Sequence, residues 1–380
     1  MRVALLTYST KPRGGVVHTL ALAEALAGRG HEVEVWTLAR GGDAGFFREV
    51  DPAVTVRAVP FPEAEGESVG ERIDRSITVL GGAFDSAADV VHAQDCISAN
   101  AVGERGRAHV RTIHHLDAFT TERLIRCHDR AIREPAARIC VSAAVAAEVQ
   151  EQYGPVPTVI PNGVAAERFA RAAGPEGAAA RARWQGRLGR YVLALGGIEP
   201  RKGTIDLLEA FARIRDRHPG VRLVLGGGET LFDYRPYRAR FEERARELGV
   251  EPVLLGTLPD DEVPPLVAGA EVLGFVSTKE GFGLAALEAL AAGVPVIARD
   301  IPVVREVFGD AVHRAPGTVE GIASGLDTML AGERPDPRRG RALADSFTWG
   351  RAAELHERFY RHVLEHGGDA GAPVDLADHR

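Results

Sequence analysis

Two glutamates, Glu280 and Glu288, frame the segment of this 380-residue chain that is best suited to chemistry. Between them lie Gly281-Phe282-Gly283-Leu284 and the start of an apolar, helix-forming run. The glycines let backbone N–H groups approach a ligand closely, and the helix N-terminus favours an anion. Glu280 falls in the loop and Glu288 about one turn into the helix, so they cannot share an i,i+4 face as a metal-binding pair would. That spacing suits contact with different parts of one ligand. A capped helix with incidental acids, Glu280 serving the macrodipole, fits the spacing equally well.

A second segment, Gly196-Gly197-Ile198-Glu199-Pro200-Arg201-Lys202-Gly203, lies between an apolar strand and a helix running through Leu207, Leu208 and Phe211. Arg binds phosphate as a fork, Lys as a point charge, and the helix end adds partial positive charge, which together suit a diphosphate. A solvated basic turn is the alternative. Weaker signals are Lys11-Pro12-Arg13-Gly14-Gly15, the pair His114-His115, the turn Ile160-Pro161-Asn162-Gly163-Val164 and Gly226-Gly227-Gly228. The first is not G-x-G-x-x-G, so the dinucleotide fingerprint is absent.

The elements that must position these residues follow from periodicity. Short β-branched runs alternate with segments of helical period, the pattern of parallel βα units. Strands are expected at 3–8, 32–38, 89–93, 109–114, 138–142 and 157–160, and a helix at 17–27. A second series has strands near 191–195, 221–226, 253–256, 271–276, 295–298 and 311–314. The expected fold is α/β, with two Rossmann-like doubly wound domains facing across a cleft. Residues 1–165 with a returning helix at 348–366 form the first, 190–347 the second, with 166–189 as linker and 367–380 as a flexible tail. Open α/β sheets bind ligands at the carboxyl ends of their strands, where these motifs lie.

Composition narrows the class. The chain is 45% hydrophobic and 26% charged, with 43 Gly and 22 Pro, as in ordinary globular proteins. A net charge of −7 gives no basic excess, so no nucleic-acid partner is expected. Cys96, Cys127 and Cys140 have no CxxC spacing and read as reduced thiols, so a cytoplasmic location is expected. The first apolar stretch is too short for a signal peptide, and no run approaches a bilayer span. Of 46 basic residues only Lys11, Lys202 and Lys279 are lysine.

Taken together the segments resemble the retaining glycosyltransferases of family 4 (glycosyl transferases group 1), which adopt the GT-B fold. The matching residues occur in family order: Gly14-Gly15, Gly30-His31-Glu32-Val33, Val91-His92-Ala93, Thr112-Ile113-His114, Val141-Ser142, Ile160-Pro161-Asn162-Gly163-Val164, Arg201-Lys202-Gly203, Gly226-Gly227-Gly228 and Glu280 to Glu288. The resemblance implies a nucleotide diphosphate-sugar donor and no cofactor or metal. Arg201 and Lys202 would hold the diphosphate, and Glu280 the sugar hydroxyls. The Gly281-Phe282-Gly283 backbone and Leu284 would line the donor, and Glu288 would meet the ribose. Gly14 and Gly15 would admit the phosphate, and His114 would lie beside the transferred sugar. Gln94 stands where many members have His, and His115 doubles the usual single His. The acceptor is left open among small molecule, lipid and glycan.

Three rivals remain at this level. A glycosidase could use two carboxylates but would have no use for Arg201 and Lys202. A nucleotide-sugar epimerase on the same fold would need no acceptor, and a non-catalytic nucleotide-sugar-binding protein would bind without turnover. Separately, Arg123, Arg126, Arg130 and Arg133 recur on one helical face. They could attract an anionic membrane surface, although Glu122, Asp129 and Glu134 favour a solvated face.

Overall fold

The computed structural model describes residues 1–40, 45–117, 119, 121–228, 234–368, 373–374 and 376. The chain divides into two compact units, Met1–Gly163 with Trp349–Arg380, and Val164–Thr348.

The first unit runs β1 (Arg2–Leu6), α1 (Gly14–Gly28), β2 (Glu32–Arg40), β3 (Val54–Phe61), α2 (Val69–Ala83), β4 (Val90–Ala93) and α3 (Cys96–Gly103). It continues β5 (Val110–Ile113), α4 (Glu122–Arg133), β6 (Ala137–Cys140), α5 (Ala143–Tyr153) and β7 (Thr158–Val159). The strands form one parallel sheet in the order β3-β2-β1-β4-β5-β6-β7. Parallel strands covered on both faces read as near-continuous apolar runs, as β1 and β4 nearly do, whereas β5 and β6 each bury an arginine, Arg111 and Arg138. The strand β3 and helix α2 are additions to the expected elements. β3 is an edge strand, half of it exposed, with Arg57 outside and Pro60 near its end, so its pattern is weak.

The second unit begins with α6 (Ala166–Ala173) and α7 (Ala178–Leu188), then β8 (Arg190–Leu195), α8 (Thr204–Ile214), β9 (Val221–Gly226), α9 (Arg235–Leu248), β10 (Val253–Gly256) and α10 (Val263–Ala268). It continues β11 (Val272–Phe275), α11 (Leu284–Ala291), β12 (Val296–Arg299), α12 (Pro302–Val307), β13 (His313–Ala315), α13 (Val319–Leu330) and α14 (Pro337–Ser346). Its parallel sheet has the order β10-β9-β8-β11-β12-β13, the 3-2-1-4-5-6 arrangement of a doubly wound domain.

Two expectations change. Residues 166–189 are not a linker but helices of the second unit, anchored by buried Phe169, Ala172, Trp184 and Leu188. The Trp184 indole donates to Glu262 at 2.8 Å. In the tail, Val374 donates its N–H to Thr158 Oγ1 at 2.8 Å, and Val374 and Leu376 pack on the first core. Residues 369–372, 375 and 377–380 lie outside the described structure.

The last helix, α15 (Trp349–His366), belongs to the first unit. It buries Phe359 and Tyr360 against Leu5, Leu20, Leu26 and Val35. Glu357 on it pairs with Arg29 at 2.7 Å. The second unit has its own core, including Val192, Leu208, Phe211, Leu225 and Leu326.

Candidate active site

In the second unit, β8 and β11 are the neighbouring strands at which the sheet order reverses, so the loops after them lie side by side. Ligands of open α/β sheets bind at this point. The two loops are tied through the backbone, Thr278 N–H donating to Arg201 C=O at 2.8 Å. Gly203 has φ 64°, and a Cβ there would lie 2.4 Å from the Val276 carbonyl oxygen. Glycine is therefore dictated by both conformation and space.

Arg299, which closes β12, fixes the base of both loops. Its Nε donates to Val276 C=O at 2.9 Å, and its Nη atoms donate to Gly317 C=O and the Asp206 carboxylate in the first turn of α8. No motif in the sequence points to it. The only hint is a charged residue ending an otherwise apolar strand.

Arg201, Lys202 and Glu280 meet in one network. Lys202 Nζ lies 2.9 Å from Glu280 Oε2, and Arg201 Nη1 lies 3.5 Å from the same oxygen. Arg201 also reaches the Lys279 carbonyl at 3.4 Å and lies 3.8 Å from buried Glu199. Glu280 Oε1 accepts from Gly281 N–H at 3.1 Å. The Lys202 ammonium sits 5.8 Å from the Phe275 ring centroid. Side chains this poorly hydrated feel their neighbours' charges more strongly than surface pairs do.

Glu288 occupies a different environment. It is half-buried on α11, burial pushing its carboxyl up to about 7 against a partial pull from Arg168, which itself pairs with Asp260 at 2.7 Å. Phe282 turns its ring into the protein, edge-on to Phe347 at 5.2 Å, so its backbone is what a ligand could meet. Gly283 caps α11 at φ 105°, and a Cβ there would lie 2.8 Å from the Phe308 ring. Leu284 is the half-buried first residue of that helix.

In the first unit, Gly14 and Gly15 open α1. A Cβ on Gly14 would meet open space, whereas one on Gly15 would touch the His114 ring at 3.6 Å. His114 follows β5. Burial holds it well below the usual histidine pKa, and its Nε2 has no hydrogen-bond partner among the described residues. His115 turns elsewhere, 3.1 Å from Asp117. The sequence reading did not anticipate that His114 belongs to a buried histidine group: His18 lies 4.9 Å from it, His356 5.9 Å from His18, and His92 5.8 Å from His356.

The arginine face of α4 is internally compensated. Arg123 pairs with Asp74, Arg126 with Glu122 and Arg130 with Glu104 and Glu134, while Arg133 lies over the Tyr153 ring. No described helix is long and apolar enough to cross a membrane.

Models of two families match the chain, one described as Glycosyltransferase Family 4 over residues 12–168 and one as Glycosyl transferases group 1 over residues 186–342. The chain belongs to the group 1, family 4 glycosyltransferases. It is 28% identical to the glycogen synthase of Mycobacterium tuberculosis, over 95% of this chain and 94% of that one. To the phosphatidyl-myo-inositol mannosyltransferase of the same organism it is 29% identical, over 99% and 100% of the two chains. Among solved structures it resembles sucrose-phosphate synthase from Thermosynechococcus elongatus, with TM-score 0.78, 20% identity and coverage of 96% and 99%. Anabaena HepE, solved with UDP-glucose, matches with TM-score 0.72, 19% identity and coverage of 95% and 100%. The glycosyltransferase thus has the GT-B fold.

Proposed function

We propose that this glycosyltransferase moves a hexose from a nucleoside diphosphate sugar to an acceptor, with retention at the anomeric carbon and without a metal ion. The observation that carries the reading is the Arg201–Lys202–Glu280 network at the reversal point of the second sheet. HepE, a structural neighbour, was solved with UDP-glucose, which supports a nucleotide sugar as the donor class.

The chemistry follows from charge. Cleaving the bond between the anomeric carbon and the phosphate oxygen leaves an electron pair on the diphosphate and positive character on the carbon. The acceptor oxygen forms the new bond and its proton departs to the diphosphate or solvent. Arg201 and Lys202 stabilise the leaving diphosphate, and fixed cations of this kind lower such barriers strongly. A bound diphosphate competes with Glu280 for both cations and frees the carboxylate to accept from sugar hydroxyls. Glu288, nearer neutrality, is assigned to the ribose. His114 offers a neutral imidazole, able to hydrogen-bond a sugar hydroxyl but not to act as a cationic acid at neutral pH.

A panel of UDP, GDP and ADP sugars tests this, read by thermal shift, nucleotide release with and without EDTA, and the anomeric coupling in the product. Conversion of donor without acceptor, or binding with no turnover across acceptors, would overturn it.

A further inference from the structure

At the carboxyl end of the first sheet, Arg40 closes β2 beside Phe61 at the end of β3 and Tyr8 just beyond β1. Its guanidinium lies 4.8 Å from the Phe61 ring centroid and 5.4 Å from that of Tyr8. Nε donates to Tyr8 C=O at 3.3 Å, and Nη2 donates to the buried Ser76 hydroxyl at 2.9 Å. Among the described residues its Nη1 has no acceptor, and no carboxylate lies within ion-pair distance of the guanidinium. Among the described residues, Asp95, whose charge reaches Arg40, and Glu67, the partner of Arg72 and Arg75, are both occupied. Asp95 accepts from the backbone of Ser98 at 2.8 Å and of Tyr8 at 2.9 Å, and Glu67 is held by Arg75 and Arg72.

Neighbouring cations add to the positive potential around Arg40. Arg13 donates to the Tyr8 hydroxyl, which leaves the phenolic proton free to donate in turn. Burial above all, with nearby Arg72 and Arg13, lowers the Arg40 pKa to about 10 against opposing pulls from Tyr8 and Asp95. Burial also pushes Tyr8 up to about 12, so its hydroxyl remains a donor. A half-desolvated cation without a counter-charge is costly, and an incoming anion offsets that cost.

We propose that Arg40 Nη1 and the Tyr8 hydroxyl, with Arg13 alongside, bind a phosphate group carried by the acceptor. A phosphate accepts from the planar guanidinium and from the phenol together, while the aromatic faces suit the ring or carbon skeleton attached to it. The proposal rests on the transferase reading and adds the acceptor's chemical class to it.

Inorganic phosphate is the first probe, titrated into the full chain and followed by 31P line broadening with chloride as control. Binding should weaken about tenfold or more in Arg40→Gln, as expected for a lost charge-assisted contact. Tyr8→Phe, which keeps the ring, should weaken it several-fold at an unchanged melting temperature. Binding should survive in the Arg201→Gln/Lys202→Gln double variant. Phosphate affinity within twofold of wild type in both first-unit variants, or loss only in the double variant, overturns the proposal. A second arm separates the two sources of phosphate. Binding of a soluble hexose phosphate, lost in Arg40→Gln, identifies a small acceptor. Binding to vesicles of phosphatidylinositol, lost in the same variant, identifies a lipid headgroup. Nucleotide-induced thermal shifts, measured in parallel, report on the donor reading separately.

Discussion

Lys202 and Glu280 are 78 positions apart in the chain, yet their charged groups meet at 2.9 Å. Adjacency of β8 and β11 makes the contact, since each residue stands in the loop that leaves one of those strands. The pair is therefore a consequence of strand order, and it joins the two motifs into one device.

Breaking that pair should affect folding and transfer differently. Lys202→Met leaves Glu280 half-desolvated without its closest cation, and Glu280→Gln does the converse. Each should cost about 1–3 kcal/mol of stability, with partial recovery in the double variant. Transfer should fall about 100-fold or more in each single variant and should not recover in the double. Urea unfolding and initial rates check this; recovery of activity in the double variant would show that the residues act only on each other.

Glu288 should make stability pH-dependent in an unusual direction. Its folded pKa of about 7 lies above the ordinary glutamate value of about 4.5, so the folded chain retains a proton that the unfolded chain has released. Stability attributable to this group therefore falls as pH rises from about 4.5 to about 7, by about 1–3 kcal/mol. Glu288→Gln should remove that component and be more stable than wild type at pH 8 but not at pH 5. Denaturant titrations at the two pH values compare the chains, and an equal difference at both would refute the assignment.

Much of this was readable before any coordinates. The strands leading into both motifs are buried in parallel sheets, so β8 and β11 appear as unbroken apolar runs and their loops locate themselves. Helices α6 and α7 did not, because each buries only two residues and shows composition rather than a stripe. Arg40 and Arg299 were hidden for a different reason. Each is an arginine ending a strand, and arginines are so abundant here that one more carries no signal. Lys202 escaped that dilution because the chain has only three lysines. What gives the two arginines meaning is the set of carbonyls, hydroxyls and rings brought around them by strands distant in sequence.

The buried histidines should set the acid limit of the first unit. Burial lowers His18 to about 3 and His356 to about 4, and holds His92 and His114 well below the usual range. All four are neutral in the fold and take up protons near pH 6.5 once unfolded. Stability from this source is complete above that pH and declines as pH falls below it, at about 1.4 kcal/mol per pH unit for each histidine. His356→Asn should shallow the slope of stability between pH 6.5 and pH 5 by about one proton, whatever it does at pH 7. An unaltered slope would mean that His356 already titrates normally in the folded chain.

Among the described residues Arg299 makes no hydrogen bond or ion pair with Glu280, Glu288, Arg201 or Lys202, yet it braces the strand end before Ser277-Thr278-Lys279-Glu280 and the first turn of α8 together. Its planar fork spans two carbonyls and a carboxylate, which the single ammonium of lysine cannot reproduce. Arg299→Lys should therefore lower stability by about 2 kcal/mol through donors and acceptors left unmatched. If the brace also positions the donor loops, the donor KM should rise about tenfold while the acceptor KM stays near wild type, because only the second unit is loosened. Gly203→Ala, which forces the same loops apart through the Val276 carbonyl, should reproduce that asymmetry. Steady-state kinetics with each substrate varied in turn decide the matter. A fall in melting temperature with both KM values unchanged would reduce Arg299 to a structural residue with no part in holding the donor.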